Sequence, residues 1–520
     1  MSDKRRSEFI VFVMMISIVF GLIIRLVPAI MAGAPVGDGG LFYQMVRDLA
    51  ANHYKLPLFT SYNQSNIPFV YPPLGFYLTA FIQRLTGAEL YQVFRYFPPL
   101  LATLTIPAMW LLSSLLLKDR LRGAIAAFFY AMIPVSFNLL FMGGGITRAP
   151  GMIFLLLTLG FLYLLLTTHE TRYVLPTGTF AALVVLSHPE AAYHTVFTAI
   201  LFCAFFGRNR KSLFQVPLSL ALAICLTAPW WLSALLNHGT GPFLSAITDQ
   251  PRDSLFLLYL LQFNLTGESL LPIVGAFAAI GMVVSLKQHN WFLPSWLLLC
   301  FITSQRAGPY SSELPLSLLA VVGFEFIAGR TGLAFERLYN SRAYLNSFLL
   351  LTIYCLFSGL TAGLRIGYEQ RVLPDERVAF NWISQNVPPK SSFVILTGEA
   401  SPGGDAVSEW FPALTGQISL ATIQGHEWTR EKTLMPAWID FLSLQSCLNS
   451  GPQCIEEWAI TNKTAFSYVY LRKYRLSADG STQAAITPLE LLLRASLDYK
   501  VVYDSPAAVI FVHTRVNHNP

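Results

Sequence analysis

Polar groups able to do chemistry stand in short clusters between long apolar stretches of this 520-residue chain. Asp38 lies among glycines in Gly37–Gly40, and His188, Glu190 and His194 follow one another within seven residues. A carboxylate can take a proton from an attacking group as a general base. Carboxylate and imidazole groups on one helix face can also hold a divalent ion. Asp38 and Glu190 are therefore candidate acid–base residues, and Asp38, Glu190 and His194 are candidate ligands for Mg or Mn.

Each of these groups also has a purely structural explanation. Asp38 precedes an amphipathic stretch, residues 41–49, and could simply cap a helix that lies along a membrane surface. His188 and Glu190 flank a proline that suits a first helical turn, and His194 follows one turn later. On this alternative the histidines only face the membrane interface. The sequence leaves both explanations open.

Two arginines fall in polar loops and could bind an anion. Arg148 follows three consecutive glycines, and Arg306 begins a later loop. A guanidinium group can hold a phosphate through two parallel hydrogen bonds, so Arg148 and Arg306, with His188, are candidate phosphate-binding residues. The alternative is that each arginine only extends toward the membrane interface.

The composition shows what must position these residues. Hydrophobic residues make up 54% of the chain, charged residues 12%, and the mean hydropathy is +0.51, whereas soluble domains carry about 25% charged residues. The net charge of +6 is modest, and the basic residues fall in short loops between apolar runs, which argues against nucleic-acid binding. The sequence predicts a polytopic α-helical membrane bundle of about 11 to 13 transmembrane helices.

Positive charge favours one orientation of this bundle. If residues 68–117 cross the membrane once, nearly every short basic cluster falls on the same side, as expected for the cytoplasm. The N-terminus is then cytoplasmic in a multi-pass cell-membrane protein, and the chain after residue 364 is extracytoplasmic. The apolar run 124–141 is predicted to be a single span, and residues 255–263 are too short to cross.

The chain therefore divides into two predicted parts. Residues 1–364 form the transmembrane domain, with a first outer loop at 31–71, and residues 365–520 form a soluble α/β domain of alternating helices and strands. In the second part, Cys447 and Cys454 are either disulfide-bonded or free. Aromatic residues beside carboxylates, in 409–412 and 425–428, are expected to pack against the membrane domain, with contact to a glycan as the alternative.

The order of these features resembles a known superfamily. The predicted features follow in this order: an N-terminal span, a first loop with an acidic residue (Asp38), a surface helix, the segment Tyr71-Pro72-Pro73-Leu74, many further helices and an outer C-terminal domain. This order is similar to that of the GT-C integral membrane glycosyltransferases, which include protein O-mannosyltransferases, aminoarabinose transferases and oligosaccharyltransferases. The mannosyltransferases commonly carry two adjacent acidic residues in the first loop, whereas here Gly39 follows Asp38.

The resemblance implies an activity and its partners. It implies a polyprenyl-phosphate sugar donor within the lipid bilayer and transfer to a glycan, lipid or protein acceptor on the extracytoplasmic side. Asp38 would act as general base or position donor and metal, and Glu190 would be a second acidic residue. A polytopic transporter or lipid flippase, or a non-catalytic scaffold of the cell envelope, are the alternatives; a transporter favours polar sites at mid-membrane and internal repeats.

Overall fold

The computed structural model describes residues 3–33, 35, 37–248, 264–303, 311–330, 342–369, 371–429, 434–476 and 481–514. The predicted short segment 255–263 lies outside these ranges.

The N-terminal part of the chain is entirely helical where it is described. Six of its helices, α1, α4, α6, α8, α9 and α14, are long and apolar enough to cross a membrane. Their interior faces share one apolar core. The helices are α1 (Asp3–Ala32), α2 (Gly39–Ala51), α3 (Leu74–Thr86), α4 (Leu90–Leu116), α5 (Arg120–Met132), α6 (Gly145–Thr168), α7 (Val174–Ser187), α8 (Pro189–Phe206), α9 (Arg210–His238), α10 (Gly241–Thr248), α11 (Ile273–Lys287), α12 (Phe292–Thr303), α13 (Glu313–Arg330) and α14 (Arg342–Glu369).

Helix lengths test the membrane spans predicted within residues 68–117 and 124–141. Between residues 68 and 117, α3 has 13 residues and α4 has 27. At 1.5 Å per residue α3 is about 20 Å long, so only α4 matches a hydrocarbon core of about 30 Å. The apolar run 124–141, predicted as one span, is not one continuous helix. Helix α5 ends at Met132 because Pro134 lacks an N–H group and disfavours helical geometry in the residue before it.

One charged residue, Arg25, is fully buried inside α1. Its Nη1 donates hydrogen bonds to the backbone oxygens of Gly21 and Ala131, at 3.0 and 2.9 Å. A charged group inside a membrane helix is costly and must be satisfied within the protein. Arg25 therefore joins α1 to the C-terminal end of α5, and its hydrogen bonds give it a structural role.

The C-terminal part is an α/β region built on a mixed sheet. Five strands lie in the order β2-β1-β3-β7-β6, with β1 parallel to β2 and β3, and β7 antiparallel to β3 and β6. Strands β4 and β5 form a separate antiparallel pair. The elements are α15 (Pro374–Asn386), β1 (Ser392–Leu396), α16 (Ala406–Thr415), β2 (Ile418–Ser419), α17 (Leu434–Ser446), α18 (Pro452–Thr461), β3 (Tyr468–Arg472), β4 (Tyr474–Leu476), β5 (Thr482–Ala484), α19 (Pro488–Ala495), β6 (Tyr499–Asp504) and β7 (Ala508–His513).

A continuous apolar core joins this α/β region to the first loop of the N-terminal part. It contains side chains of α2, α3, α15, α16 and the central strands. Within it, the Trp410 Nε1 donates a hydrogen bond to the Pro35 oxygen at 2.9 Å, and the Tyr62 hydroxyl donates one to the Glu409 oxygen at 2.6 Å. The predicted packing of the 409–412 cluster against the membrane domain is confirmed.

Elsewhere in the α/β region, Cys447 and Cys454 are joined by a disulfide. The open question of their redox state is therefore answered in favour of a bond.

A buried ion pair should dominate the stability of the α/β region. The Arg472 Nε lies 2.8 Å from the Glu376 Oε1, and both side chains are almost fully buried. Removing one partner leaves an uncompensated buried charge, so Arg472→Met should cost about 3 to 5 kcal/mol. The neighbouring Lys473 pairs with Asp504 at the surface, and Lys473→Met should cost at most about 1 kcal/mol. Thermal unfolding of the detergent-solubilised variants, followed by tryptophan fluorescence, measures the difference; equal melting temperatures would contradict it.

Candidate functional site

Asp38 sits in a left-handed turn immediately before α2. Gly37 has φ 72° and Asp38 has φ 69°, a conformation that is unfavourable for most side chains but more accessible to aspartate. The Asp38 side chain makes no capping hydrogen bond to α2. The explanation of Asp38 as a simple helix cap is therefore wrong, and an unusual backbone conformation directs its carboxylate elsewhere.

Arg148 faces that carboxylate from the start of α6. Its Nη2 lies 3.7 Å from the Asp38 Oδ2, and both side chains are partly buried. The glycines before Arg148 allow this approach. The Gly144 N–H donates to the Gly37 oxygen at 2.7 Å, and a Cβ on Gly143 would overlap the Cα of Gly39. Two segments more than 100 residues apart in the chain thus form one site.

Tyr71 is buried at the centre of the same site. Burial raises the pKa of its hydroxyl, and a hydrogen bond with the Thr147 side chain opposes that rise. The charges of Arg148, Asp38 and Glu190 all influence the pKa of that hydroxyl, so these groups lie in its electrostatic neighbourhood. The sequence patterns assigned no site role to Tyr71, which entered only through the segment Tyr71–Leu74 of the family resemblance, because a tyrosine beside two prolines is no signal for such a position.

His188 caps α8 and lies beside Tyr71. The Ala191 N–H donates to the His188 Nδ1 at 3.3 Å, and the ring centres of His188 and Tyr71 are 6.3 Å apart. Burial, and then the positive charge of Arg148, lower the pKa of His188 well below its usual value. His188 is therefore a neutral cap at physiological pH, but it is buried and does not face the membrane interface as the structural alternative expected. Its binding of a phosphate stays a prediction.

The predicted metal ligands are not brought together. Within the ranges that the structure describes, no group of three or more His, Cys, Asp or Glu residues is placed to hold a metal ion. Asp38 instead faces the Arg148 guanidinium, and the binding of Mg or Mn by Asp38, Glu190 and His194 stays a prediction. The other predicted phosphate ligand, Arg306, lies outside the described residues.

The sequence analysis did not identify Glu409 as part of the site. This residue of α16 is fully buried, and its Oε1 and Oε2 accept hydrogen bonds from the Gly40 and Gly37 N–H groups at 2.9 and 3.1 Å. Burial, and then the charge of Asp38, raise the pKa of Glu409 to about 8. The available signal was the pair Gly39-Gly40, which permits close approach of another segment.

An open cavity of about 530 Å³ adjoins the site. Its walls come from the first loop, the turn between α9 and α10, and the α/β region, with Asn66, His238 and Trp428 among them. Asp38, Tyr71 and Arg148 do not line this cavity, but its wall residue Trp428 packs against Tyr71, with ring centres 5.7 Å apart. A volume of this order suits a small ligand.

Solved structures with the same architecture are all GT-C glycosyltransferases. The oligosaccharyltransferase of Archaeoglobus fulgidus, in complex with Zn and sulfate, aligns with a TM-score of 0.56 at 15% identity over 88% of this chain and 68% of its own. ArnT of Cupriavidus metallidurans, bound to undecaprenyl phosphate, aligns with a TM-score of 0.54 at 12% identity over 95% and 97%. The mycobacterial arabinofuranosyltransferase AftD gives a TM-score of 0.56 at 15% identity, over 96% of this chain but only 40% of its own length. The resemblance to the GT-C fold is confirmed.

Sequence comparison adds a family but no characterised relative. No curated protein matches the chain. Residues 70–356, more than half of the chain, match a family of membrane proteins whose description refers to 6-pyruvoyl-tetrahydropterin synthase. That description alone assigns no activity to the site. The chain is a multi-pass membrane protein with the GT-C fold, and it belongs to the membrane-protein family described as the 6-pyruvoyl-tetrahydropterin synthase related domain.

Proposed function

We propose that this protein is a membrane glycosyltransferase that moves a sugar from a polyprenyl-phosphate donor to an acceptor hydroxyl at the outer face of the membrane. The observation that carries the proposal is the placement of the Asp38 carboxylate 3.7 Å from the Arg148 guanidinium, within a GT-C fold. A base and an anion-binding group stand side by side, as transfer from a sugar phosphate requires.

The reaction assigns one task to each group. Asp38 removes the proton from the acceptor hydroxyl as its oxygen attacks the anomeric carbon of the sugar. The bond between that carbon and the phosphate oxygen breaks, and polyprenyl phosphate leaves with the bonding electrons. Arg148 stabilises the negative charge that grows on the phosphate. At 3.7 Å the ion pair is longer than a hydrogen bond, so a phosphate can compete for the guanidinium.

Two further observations support the donor and the acceptor. ArnT, which shares the fold, binds undecaprenyl phosphate, which supports a polyprenyl phosphate as the leaving group here. The cavity of about 530 Å³ beside Tyr71 offers an aromatic wall at Trp428 and hydroxyl and amide groups around it, a combination suited to a polyhydroxylated acceptor. In this account Glu190 and His188 complete the site around the donor.

Transfer and lipid flipping are distinguished by the fate of the donor. The purified protein, reconstituted in liposomes, is given polyprenyl-phosphate sugars that carry a fluorescent group on the lipid. A transferase releases fluorescent polyprenyl phosphate, which chromatography separates from the intact donor. A flippase instead moves the intact lipid between leaflets, which a membrane-impermeant quencher detects. Flipping without cleavage of the sugar–phosphate bond would refute the proposal.

Sidedness can be tested by cysteine labelling. The positive-inside pattern supports a cytoplasmic N-terminus and an outer location for residues 365–520, and the Cys447–Cys454 disulfide supports an oxidising compartment. In a variant lacking the four free cysteines, a cysteine placed at exposed Lys55 or Lys500 should react with an impermeant maleimide in intact cells. A cysteine at exposed Lys211 should not. The reverse labelling pattern would place the site in the cytoplasm.

A further inference from the structure

We infer that Glu409 is the positioning residue of the site: it caps α2 from the α/β region in place of Asp38, and thereby keeps the Asp38 carboxylate directed at Arg148. The inference rests on the proposed function for its catalytic consequence, although the capping itself does not. A residue in the C-terminal part would then be required for the geometry of a base in the N-terminal loop.

The first support is the way in which the start of α2 is satisfied. A helix leaves its first N–H groups without partners in the helix, and the residue before it usually accepts one of them. Asp38 occupies that position but makes no such bond. Instead, the Glu409 carboxylate accepts hydrogen bonds from the Gly40 and Gly37 N–H groups.

The second support is the tight fit between α16 and the turn. A Cβ on Gly40 would overlap the backbone oxygen of Glu409. Two hydrogen bonds also hold the segments together at this contact. The Trp410 Nε1 donates to the Pro35 oxygen, and the Tyr62 hydroxyl donates to the Glu409 oxygen. The carboxylate therefore cannot shift without moving the turn that carries Asp38.

The third support is the cost of the alternative arrangement. Asp38 has a left-handed backbone, which is disfavoured relative to ordinary helical or extended geometry. Without Glu409, the turn can relax so that Asp38 caps its own helix, as an aspartate before a helix commonly does. Its carboxylate would then leave Arg148. Donor binding by Arg148 would persist, whereas proton removal from the acceptor would be impaired, so the defect should appear in kcat more than in the donor KM.

Glu409→Gln tests this without changing the size of the side chain, because the amide can accept at only one of its two ends. We expect amide hydrogen exchange of residues 37–45, measured by mass spectrometry, to become at least about tenfold faster. We expect kcat to fall about a hundredfold with a small change in donor KM. Glu376→Gln is the matched control, since Glu376 is equally buried in the α/β region but contacts Arg472. Glu376→Gln should lower the melting temperature without a selective acceleration of amide hydrogen exchange in residues 37–45.

Gly40→Ala provides an independent variant from the other side of the contact and should give the same two changes. Unaltered exchange at residues 37–45 in both variants would overturn the capping. Faster exchange with wild-type kcat would overturn the positioning role while leaving the proposed function intact. If the wild-type protein transfers no sugar from any donor, the proposed function fails, and the exchange data still decide whether Glu409 caps α2. If Glu409→Gln does not fold, Gly40→Ala decides.

Discussion

Replacing Asp38 with Asn should reduce sugar transfer by about a thousandfold, the contribution typical of a general base, while the protein remains folded. The amide of asparagine cannot take a proton from the acceptor hydroxyl. Asparagine tolerates left-handed backbone geometry as well as aspartate does, and Asp38 makes no capping bond that the change could break. The loss should therefore appear in kcat with an unchanged melting temperature, measured on the purified variant in lipid nanodiscs.

Asp48→Asn is the matched control for this prediction. Asp48 lies in α2, the helix that follows Asp38, and its carboxylate accepts hydrogen bonds from Thr60 and Ser61. Its replacement should lower the melting temperature slightly and leave transfer within a few fold of the wild type. Full activity of Asp38→Asn would remove Asp38 from the mechanism.

Arg148→Lys should reduce kcat/KM by about a hundredfold, although the positive charge is retained. A lysine ammonium cannot form the two parallel hydrogen bonds that a guanidinium makes to a phosphate, and loss of a group that stabilises developing charge typically costs about 10²- to 10³-fold. Steady-state kinetics with varied donor concentration should show a lower kcat and a higher KM. The two arginine variants to compare are Arg148→Lys and Arg47→Lys.

Arg47 is the appropriate control because it also lies near the first loop, on α2, where its Nη1 donates to the Ala413 oxygen at 3.4 Å. Its change to lysine should leave both kinetic constants near the wild-type values. If Arg148→Lys behaved like Arg47→Lys, the phosphate would have to be held by other groups.

The sequence predicted the helices of the bundle well because the signal for a membrane helix is local. The run 152–166 lies within α6, where length and hydrophobicity alone decide the outcome. The run 174–186 forms the helix α7, which has only 14 residues. The run 124–141 was misassigned because its hydrophobicity continues past Pro134, where the backbone can no longer remain helical. In that case the local backbone restriction outweighed the hydrophobic pattern.

The site was only partly predictable, for a physical reason. Loop topology indicated that Asp38 and Arg148 share a face, but not that glycines at 143 and 144 would let the two loops touch. Glu409 lies 369 residues from Gly40, and the groups it binds are backbone N–H groups, which every residue except proline carries. Apart from the pair Gly39-Gly40, no residue type at the partner positions could therefore indicate the contact. Tyr71 was missed for a similar reason, since its neighbours come from separate segments.

The central claim is that this site cleaves a sugar from a polyprenyl phosphate with Asp38 as the base. The most direct measurement incubates the wild-type protein and Asp38→Asn with a panel of polyprenyl-phosphate sugars and a membrane extract that supplies acceptors, and quantifies the polyprenyl phosphate released. The account predicts that the wild type consumes at least one donor, with one sugar transferred per polyprenyl phosphate formed, and that Asp38→Asn consumes about a thousandfold less. Equal consumption by the two proteins, or none of any donor by the wild type, would contradict it.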